Sequence, residues 1–108
     1  MVFSDRVVVP AQVLVRYLDG ETVLLNLDTE KYFGLDATGT HMWRILTQSG
    51  NIEKAYSTLS GEFDVEPEVL RSHLTELIDQ LVENRLIEVV PVNVESTPAI
   101  YGVGRGSA

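Results

Sequence analysis

The stretch Thr22–Leu46, TVLLNLDTEKYFGLDATGTHMWRIL, decides the fold. Val23–Leu27 and Tyr32–Leu35 are short runs of β-formers separated by turn-forming residues, a pattern that predicts a hairpin. Asp36 is a good N-cap for a helix beginning at Ala37, because its carboxylate can accept a hydrogen bond from a free amide of the first turn. This helix follows the second strand almost without a linker. Nothing upstream therefore needs to cover the outer edge of Tyr32–Leu35, and the sequence predicts an open sheet edge there.

A third strand precedes this hairpin. Gln12–Leu18 is strand-like, and Asp19-Gly20 after it is the dipeptide typical of a type I′ hairpin turn. Glu21–Leu27 then returns antiparallel to it. Three strands alone are marginally stable in water, so we expect helices to cover one face of this sheet.

Three helices are predicted after the sheet, each from a start signal and an apolar periodicity. Asn51 is a good N-cap for the second helix, which we expect Ser60-Gly61 to end, and Pro67 suits the first turn of the third. The predicted bounds are Ala37–Thr47, Ile52–Leu59 and Pro67–Asn84, followed by a short strand at Leu86–Val89. The fold class is therefore α+β and winged-helix-like: a three-stranded antiparallel sheet, three helices and a short C-terminal strand.

The chain of 108 residues is expected to form one domain. We assign residues 1–11 to an N-terminal lead-in and residues 12–90 to the folded domain. Residues 91–108 are polar, glycine-rich and without periodicity, so they are predicted to be a flexible C-terminal tail.

The composition disfavours two classes of partner. The chain has eight Lys and Arg residues against 16 Asp and Glu, a net charge of −8, and its basic residues are scattered singly. A nucleic-acid-binding protein normally clusters its cations against the phosphates, so a nucleic-acid partner is not expected. The apolar runs are too short to span a bilayer, and Ser4, Asp5 and Arg6 interrupt any N-terminal signal-peptide core. We expect no membrane partner and a cytoplasmic location.

No catalytic or metal-binding motif is found in the sequence. His41 and His73 are the only histidines, neither has a metal-ligand spacing, and the chain has no cysteine. The serines do not fall in a nucleophile motif, and the glycines form no phosphate-binding loop. We therefore expect no catalytic residue, no metal and no cofactor, and a protein that is not an enzyme.

A peptide-binding groove is the functional feature that the pattern suggests. Tyr32-Phe33 lies on the strand with the open edge, and the third helix has a broad apolar stripe. The stripe consists of Leu70, Leu74, Leu77, Ile78, Leu81 and Val82. An edge strand beside a helix with a spare apolar flank is the geometry of β-augmentation, in which a peptide adds as another strand.

The run VLLNLDTEKYFGLDATGTHMWRIL, together with AYSTL and LTELIDQLVENRLIEV, resembles the PqqD family over about Val13 to Val89. Members are small winged-helix-like peptide chaperones, also called RiPP recognition elements, that bind the leader segment of a ribosomally made precursor peptide. The resemblance implies a partner enzyme that modifies the bound precursor. It is a radical S-adenosylmethionine enzyme in pyrroloquinoline quinone biosynthesis, and a leader peptidase with a macrolactam synthetase in lasso-peptide pathways. His73-Leu74 and Arg85 stand where the family often has Asp-Val and glycine, which leaves the pathway open.

The resemblance also implies which residues of this chain contact the leader. On the strand and the turn before it these are Glu30, Lys31, Tyr32, Phe33 and Gly34. On the third helix they are Arg71, Leu74, Thr75, Ile78 and Val82, unless the helix flank with His73 and Gln80 faces the groove instead.

Two other functions fit the architecture. The first is a winged-helix DNA-binding regulator, which the net charge of −8 disfavours, since the third helix carries Arg71 against four carboxylates. The second is a structural domain that dimerises through its exposed edge.

Overall fold

Five strands and three helices make up the part of the chain that the structure describes, residues 2–91 of a computed structural model. In chain order they are β1 (Arg6–Val8), β2 (Val13–Leu18), β3 (Glu21–Asn26), β4 (Lys31–Leu35), α1 (Ala37–Gln48), α2 (Ile52–Glu62), α3 (Pro67–Glu83) and β5 (Glu88–Val90).

The strands form two antiparallel sheets. β2, β3 and β4 make a three-stranded meander in that order, and β1 pairs with β5 in a separate two-stranded sheet. The predicted α+β, winged-helix-like fold with its meander, three helices and final strand is confirmed. β1 was not predicted, because it lies within the segment that we expected to be a lead-in.

Local sequence signals place most of the element boundaries. Asp19 and Gly20 have φ angles of 50° and 82°, so the tight turn between β2 and β3 forms as predicted. The Asp36 carboxylate accepts a hydrogen bond from the Gly39 amide at 2.8 Å and caps α1. The Asn51 side chain caps α2 in the same way, and Pro67 is the first residue of α3.

The end of α2 differs from the prediction. We expected Ser60-Gly61 to stop this helix, but it continues to Glu62, and the Phe63 amide still donates to the Leu59 carbonyl at 2.9 Å. The reason is tertiary, since His41 of α1 contacts the Glu62 carboxylate and packs in a T-shaped arrangement with the Phe63 ring. These contacts stabilise a last turn that the local sequence disfavours.

The helices cover the inner face of the meander. Trp43 of α1 is 1% exposed, and its indole N–H donates to the Tyr17 hydroxyl of β2 at 3.1 Å. The hydroxyls of Thr22 in β3 and Thr40 in α1 are 2.7 Å apart and share a buried hydrogen bond. The buried apolar residues that complete the core are Phe3, Val13, Leu24, Leu35, Met42, Leu46, Ile52, Ala55, Leu59, Leu70, Leu74, Ile78, Leu81, Leu86 and Ile87.

The N-terminal segment packs against α2 and α3. The carbonyls of Phe3 and Asp5 accept hydrogen bonds from the amides of Glu53 and Ile52 in the first turn of α2. The Arg71 guanidinium of α3 lies 3.9 Å from the centre of the Phe3 ring. Of the predicted tail, 92–108 lies outside the described residues, and the division into lead-in, domain and tail stays a prediction.

Candidate functional site

β4 is an edge strand of the meander. Within residues 2–91 its only partner is β3, so one side of its main chain has no strand beside it. An unpaired strand edge offers a row of N–H and C=O groups to another chain. Which residues carry these groups follows from the register of the sheet.

The register begins at the turn between β2 and β3. Leu18 and Glu21 flank a two-residue turn, which makes them the first hydrogen-bonded pair of this hairpin. Main-chain groups alternate in direction along a strand, so those of Val23 and Leu25 also point to β2. The Leu27 amide also points to β2, because it donates to the Gln12 carbonyl at 2.9 Å, as this alternation requires.

The remaining residues of β3 point their main-chain groups at β4. Leu24 is paired with Phe33, and Asn26 is paired with Lys31. Lys31 and Phe33 therefore direct their main-chain groups inward to β3. Tyr32 and Gly34 alternate with these two residues along β4. Their N–H and C=O groups therefore point to the open edge.

The side chains of β4 alternate between the two faces of the sheet. Phe33 and Leu35 are on the inner face, where Leu35 is buried and Phe33 is half-buried against the core. Tyr32 and Gly34 are on the outer face, and Tyr32 is 78% exposed. A strand added at this edge would present its own side chains alternately to the helices and to the outer face.

Asn26 fixes the distance between the meander and the end of α3. Its side chain is 1% exposed, and its Nδ2 donates to the Arg85 carbonyl at 2.8 Å. Its Oδ1 accepts hydrogen bonds from the amides of Asp28 and Thr29 at 2.8 and 3.2 Å. One buried amide thus joins the turn before β4 to the turn after α3.

A small polar cavity lies where these two turns meet. Its volume is about 190 Å³, and it is lined by Thr29, Lys31, Glu83, Asn84 and Arg85. The C-terminal end of α3 is therefore next to the first residue of β4. This junction is one end of the space between the strand and the helix.

One flank of α3 packs against the N-terminal segment. At about 100° per residue, Arg71, Thr75 and Val82 share a side of the helix. The Arg71 guanidinium lies over the rings of Phe3 and Tyr56, at 3.9 and 5.5 Å from their centres. Val82 lines a cavity of about 790 Å³ together with Asp5, Val89 and other residues. This flank faces the β1–β5 side of the molecule.

The opposite flank of α3 leads to β4. His73, Leu77, Gln80 and Asn84 share it, and Asn84 lines the cavity that contains Lys31. Leu77 is half-buried and packs against the core, whereas His73 and Gln80 are exposed. At its C-terminal end, the flank with His73 and Gln80 is thus the one that reaches the first residue of β4. Which flank contacts a leader stays a prediction.

The predicted site residues divide into three groups. Glu30 through Gly34 lie together on β4 and in the turn before it, where Glu30 has a φ of 60°. Leu74 and Ile78 are 0% and 1% exposed and belong to the core. The other three helix residues lie on the flank away from β4. Contact of any of these residues with a leader stays a prediction. On the flank that carries His73 and Gln80, Asn84 lines the cavity beside Lys31 and Leu77 packs against the core.

The exposed surface of α3 is acidic. Glu68, Glu76, Asp79 and Glu83 are exposed, and the single arginine of the helix is stacked on Phe3. A recognition helix in DNA needs cations for the phosphates, so this surface does not support the DNA-binding alternative.

Between residues 2 and 91, no three His, Asp or Glu side chains come together as metal ligands. Over the same range, no helix is both long and apolar enough to cross a membrane.

Comparison with known proteins gives one family and two similar solved structures. The model of the family described as "Coenzyme PQQ synthesis protein D (PqqD)" matches residues 21–87. The structure "TbiB1 in Complex with the TbiA(beta) Leader Peptide" is 30% identical with a TM-score of 0.70, and the match covers 75% of this chain and 94% of that one. "Lasso peptide synthetase B1 complexed with the leader peptide" is 20% identical with a TM-score of 0.69, covering 77% and 98%. No curated protein matches this chain.

Proposed function

The chain belongs to the PqqD family, and from this premise we propose that it is a non-catalytic adaptor for the leader segment of a ribosomally made precursor peptide. The open edge of β4 is the observation that carries the proposal, because Tyr32 and Gly34 direct main-chain groups away from β3 to a side where residues 2–91 place no other strand. The similar solved structures named above hold a leader peptide. A leader bound here extends the meander by one strand.

The bound leader makes hydrogen bonds to the N–H and C=O groups of Tyr32 and Gly34. Each such bond contributes roughly 0.5–1.5 kcal/mol, so the main chain supplies affinity for many sequences. The leader side chains that face inward enter the space between Phe33 and the flank of α3 that carries Leu77 and Gln80. These inward side chains distinguish one leader from another.

Delivery to a modifying enzyme completes the proposed role. An adaptor holds the leader and leaves the rest of the precursor free, which suits an enzyme that acts on the core segment. The partner is a leader peptidase working with a macrolactam synthetase, or a radical S-adenosylmethionine enzyme. We place this step in the cytoplasm, where the ribosome releases the precursor.

A display library tests the proposal. It contains leader segments of short precursor peptides, the TbiA(beta) leader included, and a scrambled version of each. We expect the protein to enrich one or more leaders over their scrambled versions. The matched control is Tyr32→Pro, which removes an amide at the open edge and leaves the β3–β4 hydrogen bonds in place.

Two results would contradict the proposal. One is a wild-type protein that enriches no leader over its scrambled version. The other is a Tyr32→Pro variant that is folded by circular dichroism and enriches the same leaders as the wild type, since edge pairing is then not the mode of binding.

A further inference from the structure

Gly34 has no conformational reason to be glycine. Gly20 is the single glycine with a positive φ in the described range 2–91, so Gly34 has a backbone that other residues adopt. Among residues 2–91, a Cβ atom built on Gly34 would meet no heavy atom within 4 Å. Glycine inside a strand weakens it, and it often marks a place where another chain or ligand approaches closely. The cause of this residue choice therefore lies outside the described fold.

The missing side chain leaves a notch on the outer face of the meander. Arg16, Val23 and Gly34 are cross-strand neighbours on β2, β3 and β4, and all three are on this face. Val23 is half-buried and Arg16 is exposed. Tyr32 is two residues before Gly34 on the same face and is therefore next to the notch along β4. The Gly34 backbone and its cross-strand neighbour Val23 form the floor of the notch.

We propose that this notch is a subsite for a large aromatic side chain of the bound peptide. The inference rests on the proposed function, because it takes the peptide to lie along β4. A peptide residue placed beside Gly34 has its side chain on the same face as Gly34, whether the added strand is parallel or antiparallel. That side chain is the one that enters the notch.

An aromatic ring has the length and chemistry for this position. Adjacent strands are about 4.8 Å apart, so a ring that starts on the peptide strand crosses Gly34 and reaches Val23. Tyr32 is the exposed neighbour two residues before Gly34 on this face, and Arg16 is the last residue of the cross-strand row. Aromatic pairs and cation–π contacts both stabilise such an arrangement. Aromatic cover of an edge glycine is also a known means of stabilising a strand.

The test places a larger side chain at Gly34 and measures which peptides the variant still binds. Gly34→Val places a β-branched side chain in the open space and favours the strand, so the variant folds. Random 15-residue peptides displayed on phage are selected on the wild type, on Gly34→Val and on Tyr32→Pro. We expect the wild type to enrich Phe, Tyr or Trp at one fixed position. Gly34→Val should enrich Gly, Ala or Ser there and bind the wild-type peptides at least tenfold more weakly.

A pair of matched variants separates binding from stability. Gly34→Ala and Gly61→Ala each add a methyl group where nothing lies within 4 Å, one in the notch and one on α2. We expect only Gly34→Ala to weaken binding of the selected peptides, by threefold or more.

The outcomes distinguish the two proposals. If the wild type and Gly34→Val select the same residues at every position, the notch is not a subsite, although edge binding stands. If no peptide is enriched over Tyr32→Pro, the edge does not bind peptide, and both proposals are overturned.

Discussion

Proline substitutions at Tyr32 and Phe33 should have opposite consequences, although the two residues are adjacent. The Tyr32 amide points to the open edge, whereas the Phe33 amide points to β3. We therefore expect Tyr32→Pro to fold normally and lose leader binding. Phe33→Pro should instead lose stability, because a proline there removes a donor from the sheet itself.

The structure gives the magnitudes. In Phe33→Pro, the carbonyl of Leu24, the paired residue on β3, loses its hydrogen bond. Because Leu24 is 0% exposed, we expect this loss to cost about 1–3 kcal/mol. Loss of the half-buried Phe33 ring adds roughly 2 kcal/mol, about half the cost for a fully buried ring. Tyr32 is 78% exposed and makes no bond to β3, so its replacement should change the free energy of unfolding by less than about 1 kcal/mol.

Urea denaturation followed by tryptophan fluorescence measures both values, since Trp43 is buried in the core. Isothermal titration with a leader enriched in the display experiment measures binding, which we expect to weaken at least tenfold in Tyr32→Pro. Equal destabilisation by the two prolines would refute the register from which the open-edge groups were assigned. Unchanged binding by Tyr32→Pro would refute edge pairing at this residue.

Two further predictions concern the groove beside β4. Asn26→Ala removes the link between the turns and leaves the Arg85 carbonyl without its donor, so we expect a loss of about 2–3 kcal/mol in urea denaturation. A loss below about 0.5 kcal/mol would show that Asn26 does not hold the groove together. Because the chain has no cysteine, Gln80→Cys and Thr75→Cys each introduce a single thiol on opposite flanks of α3. Bound leader should slow maleimide labelling only of Gln80→Cys, and protection of Thr75→Cys alone would reverse the assignment of the groove flank.

Local chemistry explains which parts of the fold were predictable from the sequence. The Asp19-Gly20 turn, the Asp36 cap and the Asn51 cap each depend on residues within three positions of one another. Such signals can be read without knowing the fold. The same is true of the open edge, because a helix that directly follows β4 leaves no nearby segment to cover it.

Distant contacts explain what the sequence did not reveal. β1 is a three-residue strand whose partner β5 lies at the other end of the domain, so no local turn signals its presence. The stripe on α3 showed that one face is buried, but an apolar stripe does not say which neighbour lies on either side. The contact of Arg71 with Phe3 shows that the flank with Arg71 packs against the N-terminal segment, and no local signal on α3 indicates this neighbour.

Amide hydrogen exchange along β4, measured by NMR with and without an enriched leader, tests the central claim most directly. In the free protein we expect the Phe33 amide to be protected by β3 and the amides of Tyr32 and Gly34 to exchange rapidly. Bound leader should slow exchange at Tyr32 and Gly34 by at least tenfold. If both amides remain in rapid exchange while the leader is saturating, the leader does not add as a strand at this edge, and the account of binding is wrong.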